Sequence, residues 1–260
     1  MRNISIPVIT YHHVNCHQGD KVTVTPEYFE EQMKYLSSRG YKTIFIPELI
    51  SCLEQKEALP EKAVALTFDD GYVDNRVYAY PILKKYGMKA TIFVITSLTE
   101  EIHTSSQPVI PRHAEVRPRD MMGKDLSDAY LSWAEMREME AGGLIDIQSH
   151  THRHKNLAEE GVDIEEELTI SRQLIEKNLS KDCRFIAWPW GSCNQEVTAL
   201  ARKLGYQGGV ITDRGANTFN FDPMRIKRLD TEKGNVGWLS RKLFIYSHPT
   251  IAKIYLALRT

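Results

Sequence analysis

Ala63-Val64-Ala65-Leu66-Thr67-Phe68-Asp69-Asp70-Gly71 is an unbroken apolar run that stops at two adjacent carboxylates and a glycine. A run with no polar alternation is what a strand covered on both faces requires, and such strands belong to parallel sheets. The same kind of segment recurs on either side. Strands are predicted over 6–10 and 41–46 before it, and over 90–95, 144–148, 185–188, 207–211 and 225–229 after it. Helical signals fall between them. Thr25-Pro26 pairs an N-cap with a proline at the first helical position, Phe29, Met33 and Leu36 share one face, and Gly40 closes that helix. A second helix over 77–86 ends at Gly87. Ser132 and Glu135 have capping-box spacing ahead of a helix that stops at Gly142-Gly143. Two further helices are predicted over 164–179 and 195–204. Repeated βα units predict an α/β protein with a parallel sheet, open or closed into a barrel.

The chain has 260 residues, 42% hydrophobic and 26% charged. That composition suits a soluble globular chain and excludes disorder and fibrous repeats. Lys and Arg number 33 against 34 Asp and Glu, for a net charge of -1. With no basic surplus to collect phosphates, nucleic acid is not an expected partner. No apolar run approaches the roughly 18 residues of a membrane span, and the opening residues lack the pattern of an export signal, so a cytoplasmic location is expected. Cys16, Cys52, Cys183 and Cys193 form no CxxC pair. Free thiols are expected in preference to a Cys183–Cys193 bridge.

A single domain over 1–260 is expected. The stretch around 97–131, mixed in Pro, Ser and Arg, is too long for an ordinary connection and reads as a lid or rim insertion. From about 238 the chain becomes a basic, amphipathic helical tail. Packing on the barrel is its default reading; contact with a membrane or a biosynthetic partner is the alternative.

Three segments carry chemistry. In Thr67-Phe68-Asp69-Asp70-Gly71-Tyr72 two carboxylates stand at the C-terminal end of a buried strand, where barrel active sites are built. Asp-Gly is also ordinary turn chemistry, and both readings stay open on this segment alone. Ser149-His150-Thr151-His152-Arg153-His154 follows another strand and puts His150 and His154 four residues apart. Two imidazole nitrogens and one carboxylate suit a borderline divalent ion while leaving positions open. An exposed His-rich turn would explain that composition but not its place after a strand. In Ile186-Ala187-Trp188-Pro189-Trp190-Gly191 a proline-aromatic-glycine step could aim amides at a developing oxyanion, with two indoles as a flat surface for a sugar. A loop with packed aromatics is the plain alternative.

Together these segments resemble the NodB-homology polysaccharide deacetylases, carbohydrate esterase family four. The resemblance runs from Tyr11-His12-His13-Val14 to Arg228-Leu229-Asp230. TFDDG matches the family's first motif, SHTxxH its second, and the Pro189-Trp190-Gly191 turn stands in for its third. The resemblance implies a distorted (β/α) barrel of seven strands and a metal-dependent enzyme that removes N-acetyl groups from an amino sugar in a polysaccharide or its precursor. It implies Asp70, His150 and His154 as ligands of zinc, or of cobalt or nickel, and Asp69 as general base. It implies the Trp190 amide as oxyanion donor and Thr151 as a wall of the acetate pocket. Trp188, Pro189, His12 and Arg228 complete the candidate substrate contacts.

Three features depart from the family pattern. Its third motif usually begins with an arginine that orients the base, and Ala187 stands there, as in the branch acting on poly-N-acetylglucosamine exopolysaccharides. Its late LxIxLH motif, whose histidine acts as the acid, is absent, and His248 lacks the right neighbours. His12 or His13 is then a candidate acid, against a packed strand-end histidine. His152 lies inside the metal motif and is expected to be a non-ligand facing the rim. The Arg225-x-x-Arg228-x-Asp230 pattern on the last strand reads as ion pairs closing the barrel, or as substrate contact or orientation of Asp69. Two rival functions stand beside the deacetylase: an amidase for a small non-sugar substrate, and a carbohydrate-binding member of the fold with little turnover.

Overall fold

The computed structural model describes residues 5–16, 22–54, 58, 60–100, 126–219, 221–231 and 234–258. The chain enters through β1 (Val8–Tyr11) and a short parallel pair, β2 (His13–Val14) with β3 (Thr23–Val24). It continues through α1 (Pro26–Ser38), β4 (Lys42–Ile44), α2 (Ile46–Leu53) and β5 (Ala63–Phe68). A π-helical turn, Asn75–Ala79, leads into α3 (Tyr80–Tyr86), then β6 (Ala90–Val94) and α4 (Thr96–Glu100). The second half holds α5 (Trp133–Ala141), β7 (Ile145–Ser149), α6 (Ile164–Leu179), β8 (Phe185–Ala187), α7 (Gln195–Lys203) and β9 (Gly208–Val210). β10 (Leu229–Asp230), α8 (Val236–Ser247) and α9 (Pro249–Ala257) complete it.

Seven strands run in the order β10-β1-β5-β6-β7-β8-β9, every neighbouring pair parallel, with β4 beside the first half of β5. The sheet curls into an incomplete barrel. Alternate residues explain the unbroken apolar strands: Val8, Ala65, Phe93, Phe185, Ala187 and Val210 pack in the interior, while Ile9, Leu66, Ile92 and Ile186 pack under the helices. With both faces covered, neither face can be polar. The segment 226–230 draws the two ends of the sheet together. Ile226 bridges Val210 of β9, and three residues later Leu229 and Asp230 pair with Ile9 and Thr10 of β1.

Some boundaries differ from expectation. The strand predicted over 41–46 ends at Ile44, because the Glu48 carboxylate accepts the Phe45 N–H at 2.7 Å and opens α2, a helix the sequence reading lacked. The strand predicted over 225–229 begins as a 3-10 turn, Pro223–Arg225, capped by Asp222, and only its end pairs. The expected insertion starts as α4; residues 101–125 lie outside the described residues. Its two ends return to the barrel, where Leu98, Leu126, Ala129 and Tyr130 pack with Tyr72 and Ile95. In the tail, α8 buries Trp238, Leu239, Leu243 and Tyr246, and Gln32 of α1 donates to the Gly234 carbonyl at 2.6 Å. The four cysteines are free thiols. No helix among the described residues is long and apolar enough to cross a membrane.

Candidate metal centre and active site

β5 delivers the carboxylates. The Asp69 amide still donates to Tyr11 of β1, at 3.0 Å, but Asp70 and Gly71 turn left-handed with φ of 71° and 75°. A side chain at Gly71 would place a Cβ 2.9 Å from Val94 Cγ1, so only glycine fits the turn. The turn separates the two carboxylates: Asp69 meets Arg228, and Asp70 meets the histidines.

β7 delivers those histidines. Past Ser149 the backbone is left-handed at Thr151 and His154. Ser149 Oγ accepts the Thr151 amide at 3.1 Å, and Thr151 Oγ1 accepts the His154 amide at 3.0 Å. From α6, buried Glu167 accepts the Arg153 amide at 2.7 Å. Held this way, His150 Nε2 and His154 Nε2 lie 3.4 Å and 3.6 Å from Asp70 Oδ1.

These three side chains fit a divalent ion, since their donor atoms all lie within 4.8 Å of one another. Ligands about 2.0–2.1 Å from a tetrahedral zinc stand about 3.3 Å apart, close to the spacings found. The outer contact agrees: His150 Nδ1 lies 2.8 Å from the Ala187 carbonyl, so its N–H donates there and Nε2 faces the centre as a lone pair. Burial alone would raise the Asp70 pKa, but its bond to His150 and the neighbouring imidazoles hold it well below the usual range. Burial and the nearby His150 push His154 down to about 4, the neutral form a metal needs. His150 is shifted up: burial opposes its charge, but the Asp70 bond and the Asp69 charge outweigh it.

The candidate base, Asp69, sits beside this centre. Asp69 is 3% exposed, and Arg228 grips both its oxygens at 2.7 Å. Burial would raise its pKa, but the Arg228 charge and hydrogen bonds leave it lowered. Arg228 also donates to the Ile211 carbonyl at 3.1 Å and to Thr67 Oγ1 at 3.3 Å. His12, 28% exposed, places Nε2 4.0 Å from Asp69 Oδ2. His13, by contrast, is buried against Asp74 at 2.6 Å.

β8 delivers the third wall. In the turn Pro189–Gly191, Pro189 has no N–H, so the first amide is that of Trp190, held at φ 53°. A Cβ on Gly191 would fall 2.5 Å from the Thr212 nitrogen. The Trp190 indole is 63% exposed and stands edge-on to His154, centroids 4.5 Å apart. Of the five non-glycine residues with positive φ among those described, Asp70, Thr151, His154 and Trp190 all line this site. Backbone strain gathered at one place marks a functional constraint.

Several expectations need correcting. Trp188 offers no sugar surface; it is wholly buried, its indole N–H donating to the Met224 carbonyl at 2.8 Å. Pro189 is buried as well; Thr151 is buried in the wall of the site, its hydroxyl accepting the His154 amide. Arg228 is 1% exposed and binds Asp69, which excludes a substrate contact and matches the other reading, orientation of the base. His152 does not face the rim; it is buried, its Nδ1 3.0 Å from Thr96 Oγ1, where it ties the histidine loop to the start of α4. Arg225 and Asp230 keep the ion-pair reading: Arg225, on the surface, bonds the Cys193 carbonyl and pairs with Asp213 at 3.8 Å, and Asp230 pairs with Arg214 at 3.7 Å. His248 belongs to a cavity with Ser5, Ile6 and Ala63, at the opposite ends of the strands. Sequence reasoning missed Asp74, whose only signal was its nearness to the Asp-Asp motif.

A candidate three-ligand metal centre beside a buried, paired carboxylate, at the C-terminal mouth of a parallel barrel, fits one class: a metal-dependent hydrolase. The polysaccharide deacetylase family matches residues 56–209, and the chain belongs to that family. YxkH of Bacillus subtilis (strain 168), named for the same family, is 33% identical over 236 residues, covering 89% of this chain and 73% of that one. Poly-beta-1,6-N-acetyl-D-glucosamine N-deacetylase of Staphylococcus aureus (strain MRSA252) is 29% identical over 218 residues, 80% of this chain and 67% of that one. Among solved structures, the deacetylase PplD of Streptococcus pyogenes in complex with acetate superposes with a TM-score of 0.77 at 28% identity, covering 93% of this chain and 99% of that one. The expected seven-stranded sheet and family are thereby borne out.

Proposed function

We propose that this chain hydrolyses N-acetyl groups from glucosamine residues of an exopolysaccharide of the poly-N-acetylglucosamine type, or of its precursor, using zinc held by Asp70, His150 and His154. The observation that carries the reading is the pairing of that ligand set with a second carboxylate, Asp69, that ligates nothing and is kept ionised by Arg228. A carbohydrate-binding protein has no use for a free base next to a metal centre. Zinc in this position supplies Lewis acidity, polarising the acetamide carbonyl and lowering the pKa of water to roughly 7.

The protein's own residues carry the remaining steps. Asp69 takes a proton from the water as its oxygen bonds to the acetamide carbon. The Trp190 amide, first in a turn with no competing proline N–H, donates to the oxygen on which negative charge develops. As the C–N bond breaks, its electron pair goes to nitrogen, and His12 donates the proton that makes the amine a leaving group. The products are acetate and a free amino sugar. Of the two candidate acids, His12 alone combines exposure with nearness to Asp69; His13 is committed to Asp74. The exposed Trp190 ring provides the apolar surface on which a sugar face stacks.

The test is acetate release from β-1,6-linked N-acetylglucosamine oligomers by metal-stripped protein reconstituted with zinc or cobalt. Asp69→Asn, which keeps the shape and removes the base, is expected to lose about 10²–10⁴-fold in kcat. Tight binding of one zinc per chain without release from any amino sugar would reject the glycan and favour the small-amide hydrolase.

A further inference from the structure

Four and five residues past Asp70 stand two polar side chains that neither the metal centre nor the base uses. Asp74 and Asn75 are each 1% exposed, and both reach back to the segment that carries His12. Asn75 Nδ2 donates to the His12 carbonyl at 2.8 Å and to Asp74 Oδ1 at 2.9 Å. Asp74 Oδ2 lies 2.6 Å from His13 Nδ1 and accepts from Asn15 Nδ2 at 3.2 Å. The Tyr72 ring stacks on His13, centroids 3.7 Å apart. The backbone around His12 is thus gripped at its own carbonyl and through the next residue's side chain, while its imidazole stays at the mouth beside Asp69. Burying a carboxylate with an imidazole and two amides carries a desolvation penalty that apolar residues of like volume would avoid. What the network supplies in return is geometry. Asn75 also begins the π-helical turn, a rare form that concentrates at functional sites.

We infer that Asp74 and Asn75 are positioning residues that hold His12 where its proton reaches the leaving nitrogen, an inference that rests on His12 being the donor. The test compares Asn75→Ala, Asp74→Asn and His12→Ala, as full zinc-loaded chains, on N-acetylglucosamine oligomers and on 4-nitrophenyl acetate. A phenolate departs without a proton, so only the amide needs the acid. Asn75→Ala and Asp74→Asn are expected to lose about tenfold to a hundredfold in kcat on the amide, with KM nearly unchanged and a much smaller loss on the ester. Equal losses on both substrates, with His12→Ala still selective for the amide, would overturn the positioning role and keep His12 as donor. A His12→Ala variant with no selectivity would reject His12 itself, and the inference with it. A substrate-free readout separates the two further: NMR relaxation of the His12 imidazole is expected to show a mobile ring in Asn75→Ala and an ordered one in the parent. Equal order in both overturns the inference, and Asn75→Ser carries the same test if Asp74→Asn does not fold.

Discussion

Asp69 holds a negative charge almost out of reach of water, and it does so because Arg228 contacts both carboxylate oxygens at 2.7 Å. The family's usual arginine position is Ala187, which is buried and uses its carbonyl to orient His150. The segment leading into β10 supplies the guanidinium, from far along the chain. Because pairing depresses the folded pKa of Asp69, the pair's stabilisation is present above the unfolded value of about 3.9 and disappears as pH falls through the lower, folded one. Arg228→Met removes the charge and the hydrogen bonds that lower this pKa, so the pKa rises and the carboxylate stays protonated to higher pH. The acid limb of kcat/KM against pH is expected to move upward. Breaking a buried pair on one side also removes about 3–5 kcal/mol of stability, to be read by urea unfolding. An unmoved acid limb would show that Asp69 is not the titrating base. This pair was half legible: Arg228 stood out in the sequence, but 159 positions of separation from Asp69 hid its partner.

At the scale of elements, Trp188 and Trp190 look equivalent on paper and are opposite in the fold. Trp188 closes β8 facing the core, where its N–H meets the Met224 carbonyl, while the left-handed turn throws Trp190 to the surface. Trp188→Ala is expected to lose about 3–5 kcal/mol in denaturant unfolding. Trp190→Ala should stay within about 0.5 kcal/mol of the parent. Its expected effect is instead a raised KM for oligomeric glycans, with a smaller change for a monosaccharide amide. An equal stability loss in both variants would contradict this division. The strands β5 and β7 were readable because burial on both faces writes itself as an unbroken apolar run. α2 was not, although Ile46, Leu49, Ile50 and Leu53 keep a helical period, because it is only eight residues long and starts two residues after β4, so its first apolar side chain read as the end of that strand.

For the whole molecule, closure decides whether the site exists. The segment 226–230 spans from β9 to β1, and Arg228 rides on it between its two points of attachment. Asn217 ties this segment to the chain's beginning: its amide donates to Ser5 Oγ at 2.8 Å, and its side chain bonds the Ile6 carbonyl and both backbone groups of Lys227. Asn217→Ala orphans buried backbone groups and is expected to lose about 2–4 kcal/mol. It should also lower kcat/KM, because Arg228 follows Lys227 directly. Unfolding in urea together with acetate release checks both; unchanged stability would mean that the closure is held elsewhere.

The sequence by itself determined the parallel α/β architecture and placed the candidate metal ligands and the candidate base at strand ends, their roles being what the family resemblance implies. The architecture and these positions follow from local rules: buried strands are apolar throughout, and Asp69, Asp70, His150 and His154 stand directly after two of them. Only the tertiary structure decided which arginine holds the base, which histidine reaches the mouth, and which tryptophan meets solvent. Each of those depends on side chains brought together by the curling of the sheet, and a distance across a barrel leaves no trace in the spacing along a chain.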